Sequence, residues 1–200
     1  MKVYGDKRSG NCYKIGLLLK LLGRSYEWVD IDILKGETHT PEFLCKNPNG
    51  KIPLIELDDG RCLSESNAIL GYLADGTDLV PQDPFEKAQL YSWLFFEQYS
   101  HEPKIAVARF IKLYQDMPED RVAEYETCLE KGYKALGIME SQLLHTRWLV
   151  GESMTIADVA LYAYTHVAHE GGFNLRDFEG IRTWIERIQA LPDYASMEEI

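Results

Sequence analysis

The sequence predicts two domains of different class, a small α/β domain followed by a larger all-helical one. Three observations lead there. Up to about Ala74, short β-type runs alternate with stretches of helical periodicity. The segment "DGTDLVPQDP" that follows is rich in Asp, Pro and Gly and has no helical period, which marks a linker. Beyond it strand signals disappear and long helical patterns take over. The expected boundaries are 1–76 for the α/β domain, 77–85 for the linker and 86–200 for the helical domain.

The first run, "KVYG", is a short strand that stops at Gly5. From Asn11, apolar residues at Ile15, Leu18, Leu19 and Leu22 fall on one helical face, and Gly23 supplies the stop. "YEWVDID" reads as a second strand. Strand–helix–strand order implies parallel strands joined by a right-handed crossover. "TPEFLCKN" places Pro41 at a first helical position. "IPLIEL", "DDG" and "RCLS" form a hairpin with Asp59-Gly60 as its turn. Ser64 is expected to cap a helix through "ESNAILGYLA", with Ile69, Leu70 and Leu73 facing a core. The order is β-α-β-α-β-β-α.

In the second half, helical patterns run from Phe85 to Tyr114 and from Glu119 to Leu144, followed by "TIADVALYAYTHVAHE" and "IRTWIERIQAL". Pro103 should kink or offset the first of these. "MTIAD" carries a capping-box pattern from Thr155 to Asp158, with Met154 and Val159 spaced as a hydrophobic staple. That pattern makes Asp158 a folding residue at a helix start rather than a catalytic acid.

Composition narrows the function. The chain is 46% hydrophobic and 26% charged, ordinary for a globular protein, and its formal net charge of −11 argues against nucleic acid or an anionic membrane as partner. No stretch is long and apolar enough to span a bilayer, and the N-terminus lacks the apolar core of a secretory signal. Cys12, Cys45, Cys62 and Cys128 show neither metal spacing nor a disulfide framework, so reduced cysteines in a cytoplasmic protein are expected, with no metal.

The chemistry-bearing stretch is "RSGNCYK", where a strand meets a helix and Ser9 stands three residues before Cys12. A redox protein would carry C-x-x-C there. The residues alone leave two readings open: a redox site that has lost a thiol, or a site where a hydroxyl does different work. Likewise, "NGKIP" alone reads as an ordinary edge-strand start, and "SES" as a helix N-terminus able to hold an anion.

Taken in order, "SGNCYK", "NPNGKIPLIE", "LSESNAILGYLA" and "GESMTIADVALYA" resemble the soluble glutathione transferase family over essentially the whole chain, in its bacterial serine-type branch (theta-, nu- or beta-like). The resemblance implies a thioredoxin-like first domain, an all-α second domain, and glutathione as co-substrate. It implies a homodimer that pairs the α/β domain of one subunit with the helical domain of the other. It implies that Pro53 is cis and that the Ile52 backbone docks glutathione as a strand edge would. The backbone N–H groups of Glu65 and Ser66, with the Ser66 hydroxyl, would receive the γ-glutamyl carboxylate; Glu65 would hold the amine or orient the cap. Lys51 and His39 would meet the glycyl carboxylate.

On the same reading Ser9 donates a hydrogen bond to the glutathione thiolate, which lowers the thiol pKa. Asn11 assists or serves as the helix N-cap, and Cys12 packs inside. The implied function is conjugation of glutathione to a small electrophile, or its glutathione-dependent reduction. Thiol transfer through a mixed disulfide with Cys12 stays open, as does a non-catalytic assembly module. Tyr99, His101, Glu102 and Pro103 are the expected second-substrate residues, in a pocket placed between the domains. The aromatic stripe "WLFFEQY" beside them suits a core or a subunit interface equally well.

Overall fold

The computed structural model describes residues 1–200 and divides into two units, Met1–Thr77 with Leu191–Ile200, and Asp78–Ala190. The first unit contains β1 (Lys2–Gly5), α1 (Gly10–Leu21), β2 (Glu27–Asp30), α2 (Pro41–Lys46), β3 (Leu54–Glu56), β4 (Cys62–Ser64) and α3 (Ser66–Ala74). This is the order read from the sequence. The sheet runs β2-β1-β3-β4, with β2 parallel to β1 and the other pairs antiparallel. Val3 sits opposite both Trp28 and Ile55, and Val3 and Ile55 are fully buried. Two short 3-10 turns, Ile33–Lys35 and Glu37–His39, lie between β2 and α2; a single turn has no period for a sequence to display.

Helix α1 is buried far beyond the one apolar face that its periodicity shows: nine of its twelve residues are inaccessible. The last ten residues, expected in the helical domain, explain part of this. The Tyr13 hydroxyl donates to the Ala195 carbonyl at 2.7 Å. A β-carbon at Gly16 would come within 2.8 Å of Ile200. The chain terminus therefore completes the first unit's core, and Gly16 is small because Ile200 lies on it.

The second unit is helical: α4 (Pro84–Phe96), a π turn (Glu97–His101), α5 (Glu102–Tyr114), α6 (Val122–Leu143), α7 (Ile156–Thr165) and α8 (Glu179–Gln189). Asp83 caps α4 by accepting from the N–H groups of Phe85 and Glu86, so the helix starts two residues before the expected boundary. The offset expected at Pro103 is the π turn immediately before it. Proline has no N–H to donate one turn back and its ring crowds the carbonyl there, and a wider turn accommodates both.

Every residue of α7 is buried. The capping box is present, and Asp158 is its centre: the Asp158 carboxylate accepts from Thr155 N at 2.9 Å, Thr155 Oγ1 at 3.2 Å, Leu149 N at 3.0 Å and Trp184 Nε1 at 2.9 Å. Complete burial pushes its carboxyl up to about 6, against the pull of those donors.

Asp158→Ala leaves four donors without their acceptor and should destabilise the fold by about 3–5 kcal/mol, read as a fall in the thermal midpoint. The sign of the pH effect follows from the raised value. The unfolded chain releases this proton near 3.8 and the folded chain near 6, so the group's contribution to stability falls between those values and is flat above them. Asp158→Asn should remove that slope from denaturation curves recorded between pH 4 and 7.

Candidate functional site

The turn from β1 into α1 is shaped by Asp6. Its carbonyl accepts the Ser9 N–H at 2.9 Å, and its carboxylate accepts the Arg8 N–H at 2.9 Å and the Arg8 guanidinium. Burial alone would raise the Asp6 carboxyl, but the hydrogen bonds from Arg8 outweigh it and hold the group below its usual range. Ser9 follows in extended backbone, φ −83° and ψ 123°, and is the N-cap of α1: its Oγ accepts the Cys12 N–H at 3.4 Å. The cap is Ser9 and not Asn11, because Asn11 is already inside the helix. Accepting through a lone pair leaves the Ser9 hydroxyl proton able to donate.

At α3, the expected Ser64 cap is absent. Ser64 is the last residue of β4, paired with Leu54, and strand pairing takes it out of the capping position. Glu65 occupies that position with φ +69° and no side-chain cap bond. The left-handed region is unfavourable for a residue with a β-carbon and marks sites where the surrounding fold dictates the backbone. It turns the chain so that Ser66 and Asn67 open the helix. Ser66 is buried, and its Oγ donates to Asn11 Oδ1 at 3.3 Å and accepts from Lys14 Nζ at 3.1 Å. Lys14 Nζ also reaches Asn67 Oδ1 at 3.4 Å.

Lys14 is the residue that the sequence reading missed. Its side chain is 0% exposed, in α1, with its ammonium against the start of α3. Lysine is almost never fully buried without strong partners. The signal was there: Lys14 stands three and four residues before Leu17 and Leu18, on a face the helix buries.

The third part is the loop before β3. The Ile52–Pro53 bond is cis, as expected, and strand pairing begins only at Leu54, so Ile52 lies just outside the ladder. Buried Asn47 organises this loop: its Nδ2 donates to the Lys51 carbonyl at 2.7 Å and its Oδ1 accepts the Asn49 N–H at 3.1 Å. Gly50, at φ +61°, passes so near that a β-carbon would lie 3.3 Å from the Thr38 carbonyl and 3.6 Å from His39 Nε2. Exposed His39 is thus brought beside the exposed Lys51 loop, with its Nδ1 3.0 Å from Thr38 Oγ1.

Of the residues expected to hold a second substrate, Tyr99 and Pro103 line a groove of about 640 Å³ beside α5 and α6. His101 does not. It is fully buried, with Nε2 2.8 Å from Thr165 Oγ1. Glu102 is also outside the lining. The π turn accounts for His101: Glu97 and His101 both face inward, while Tyr99 between them is 86% exposed.

Residues 1–75 match the family model "Glutathione S-transferase, N-terminal domain", and residues 93–192 match "Glutathione S-transferase, C-terminal domain". The chain belongs to the glutathione S-transferase family. It is 31% identical over 206 residues to glutathione S-transferase F13 of Arabidopsis thaliana, covering 97% of this chain and 93% of that one. It is 30% identical over 191 residues to the disulfide-bond oxidoreductase YfcG of Escherichia coli K12, covering 91% and 87%. Among solved structures, a glutathione S-transferase from Pseudomonas fluorescens Pf-5 superposes with a TM-score of 0.97 at 60% identity, covering 98% of each chain. Ure2p in complex with glutathione superposes with a TM-score of 0.84 at 25% identity, covering 96% and 90%. The chain spans 65% of the length of the Ure2 protein of Eremothecium gossypii.

In this transferase the Cys12 thiol is 0% exposed, and burial pushes it up to about 12, more than hydrogen bonding with Ser9 and the Asp6 backbone pulls it down. Such a thiol is protonated at neutral pH, and the thiolate is the reactive form. Cys45 and Cys62 are exposed. Brief alkylation with iodoacetamide at pH 7.5, read by peptide mass spectrometry, should label Cys45 and Cys62 and leave Cys12 unmodified until the chain is denatured.

Proposed function

We propose that this transferase binds glutathione on its first unit and stabilises the thiol as a thiolate for attack on a small electrophile. The observation that carries the reading is Ser9: as N-cap it accepts the Cys12 N–H, which holds its oxygen in place and leaves its proton to donate to a sulfur anion. The positive end of α1 acts in the same direction. Cys12, buried and protonated, is packing. The nucleophile is supplied by glutathione: the thiol proton goes to water, the sulfur forms a bond to the electrophilic carbon, and the leaving group departs with its electron pair.

The γ-glutamyl carboxylate goes to the start of α3, where the Glu65 and Ser66 N–H groups donate and the Ser66 hydroxyl turns its one proton from Asn11 to the carboxylate. Asn11 acts by orienting Ser66, and Lys14 adds a positive charge directly beneath the same hydroxyl. Glu65, forced to positive φ with its side chain exposed, takes the glutathione amine. The Ile52 backbone, just outside the β-ladder, pairs with the peptide, and Lys51 with His39 meets the glycyl carboxylate. Tyr99 and Pro103 are the second-substrate residues. The protein works in the cytoplasm as a homodimer, a state consistent with Tyr91 at 48% and Phe95 at 72% exposure on α4.

A second reading has one specific support, the likeness to a relative named a disulfide-bond oxidoreductase. It needs no protein thiol. The same Ser9-stabilised glutathione thiolate would attack a disulfide sulfur, forming a mixed disulfide and releasing the other sulfur as thiolate.

Ser9→Ala should shift the pH–rate profile for conjugation upward by about one unit, equivalent to roughly 1.4 kcal/mol, with a smaller change in glutathione affinity. Ser9→Thr, which keeps the hydroxyl, should restore most of the profile. An unshifted profile in the alanine variant would remove Ser9 from the mechanism. Lys14→Met should weaken glutathione binding about tenfold, or roughly 1.4 kcal/mol, while the rate at saturation changes little. The same substitution should matter far less for an analogue whose γ-glutamyl carboxylate is amidated. Equal losses for both ligands would assign Lys14 a folding role alone.

A further inference from the structure

The corner that carries Ser9 also holds a charge pair that the proposed mechanism leaves unused. Asp6 is buried and folds the turn with its main chain and its side chain together: its carbonyl accepts the Ser9 N–H and its Oδ1 accepts the Arg8 N–H, each at 2.9 Å. Accepting from the backbone two residues on is what a short carboxylate does well, and the turn leaves Ser9 extended at the start of α1. The device has an electrostatic consequence. It buries a negative charge three residues before the hydroxyl that is to meet a sulfur anion, and a nearby like charge disfavours the ionised form. Cys12 shows that the Asp6 charge reaches a sulfur at this corner. Burial dominates the raised Cys12 thiol; hydrogen bonding with Ser9 and the Asp6 backbone lowers it, the Asp6 charge raises it further and the Lys14 charge opposes that.

Arg8 folds back over the carboxylate. Its Nε donates to Oδ1 at 2.9 Å and to Oδ2 at 3.2 Å, and its Nη2 donates to Oδ2 at 2.5 Å, so the guanidinium fork meets both oxygens. Burial works to raise the Asp6 carboxyl, but the bonds from Arg8 hold it below its usual range, and the group is ionised at neutral pH. Other charges stand near. Asp32, after β2, also acts on Asp6 and is itself paired with Lys35 at 3.1 Å; Lys7, within the turn, is exposed; Lys14 is on α1.

We propose that Arg8 is a positioning residue of the transferase that acts through Asp6, cancelling the charge of the carboxylate that shapes the corner so that it does not oppose the thiolate at Ser9. The inference rests on the transferase reading above and adds a residue to it. Arg8 acts on the sulfur by removing a repulsion, not by contact. Charge and shape then lead to different outcomes. If the pair only shapes the corner, losing either partner misplaces Ser9 and raises the bound thiol's pKa, and losing both raises it at least as far. If charge decides, losing Arg8 alone leaves Asp6 uncompensated, and removing the Asp6 charge as well reverses the effect. Asparagine at position 6 keeps an oxygen to accept the Arg8 N–H.

The test titrates the ultraviolet thiolate absorbance of glutathione bound to the protein, with no electrophile present. Arg8→Gln should raise the bound thiol's pKa by about half a unit to one unit. Asp6→Asn/Arg8→Gln should recover at least half of that shift. Arg8→Lys, which keeps the charge without the planar fork, should stay nearer to the unsubstituted protein than Arg8→Gln does. An unmoved pKa in Arg8→Gln overturns the proposal, and so does a double variant shifted as far as the single one. If the double variant does not fold, Arg8→Lys decides, because a shift equal to that of Arg8→Gln would leave Arg8 a role in shape alone. The same titration separates this inference from the reading beneath it. If glutathione on the unsubstituted protein ionises no more readily than free glutathione, the transferase reading fails and the role of Arg8 falls with it. If it ionises more readily and the Arg8 variants leave it unmoved, only the role of Arg8 is overturned.

Discussion

The Ser66 hydroxyl, held between the Lys14 ammonium and the Asn11 amide oxygen, is the interaction that ties together the two helix starts of the first unit. It fixes the start of α3 against the start of α1. Ser9 caps the same helix two residues before Asn11, so the hydroxyl proposed to stabilise a thiolate and the helix end proposed to hold a carboxylate share one rigid support. A buried ammonium beside a helix N-terminus places two positive ends together, with the Ser66 hydroxyl and the Asn67 amide oxygen turned toward the charge. Glu65, at φ +69°, is the local concession that lets the strand end and the helix begin within one residue.

The helical unit has a counterpart in Asp158, a carboxylate inside a core. Four donors from α7's own cap, the preceding segment and α8 converge on it, so a polar group sets the position of apolar elements. The π turn has a different kind of consequence. By widening one turn ahead of Pro103 it turns Glu97 and His101 into the core and leaves Tyr99 outside, where the groove lies. An ordinary α-turn would distribute those side chains differently, and the groove's apolar edge depends on that shift.

Local pattern determined a great deal about this protein. The order of strands and helices, Pro41 opening α2, the Asp59-Gly60 turn and the Thr155–Asp158 cap all follow from residues within a few positions of one another, and such interactions are written in sequence spacing. The place of Ser9 at the strand-to-helix corner was legible because β1, the corner and α1 follow one another in the chain. Tertiary structure alone decided the rest. Ser64 reads as a cap until pairing with Leu54 claims it for β4; His101 reads as a pocket residue until the π turn buries it against Thr165. The last ten residues join the first unit because Tyr13 and Gly16 offer them a surface, and no periodicity near the terminus reports a partner about 180 positions away. Lys14 was visible as an anomaly, but its meaning required Ser66, 52 residues further on. Spacing along a chain encodes what neighbours do to each other; burial and charge pairing between distant segments exist only once the chain has folded.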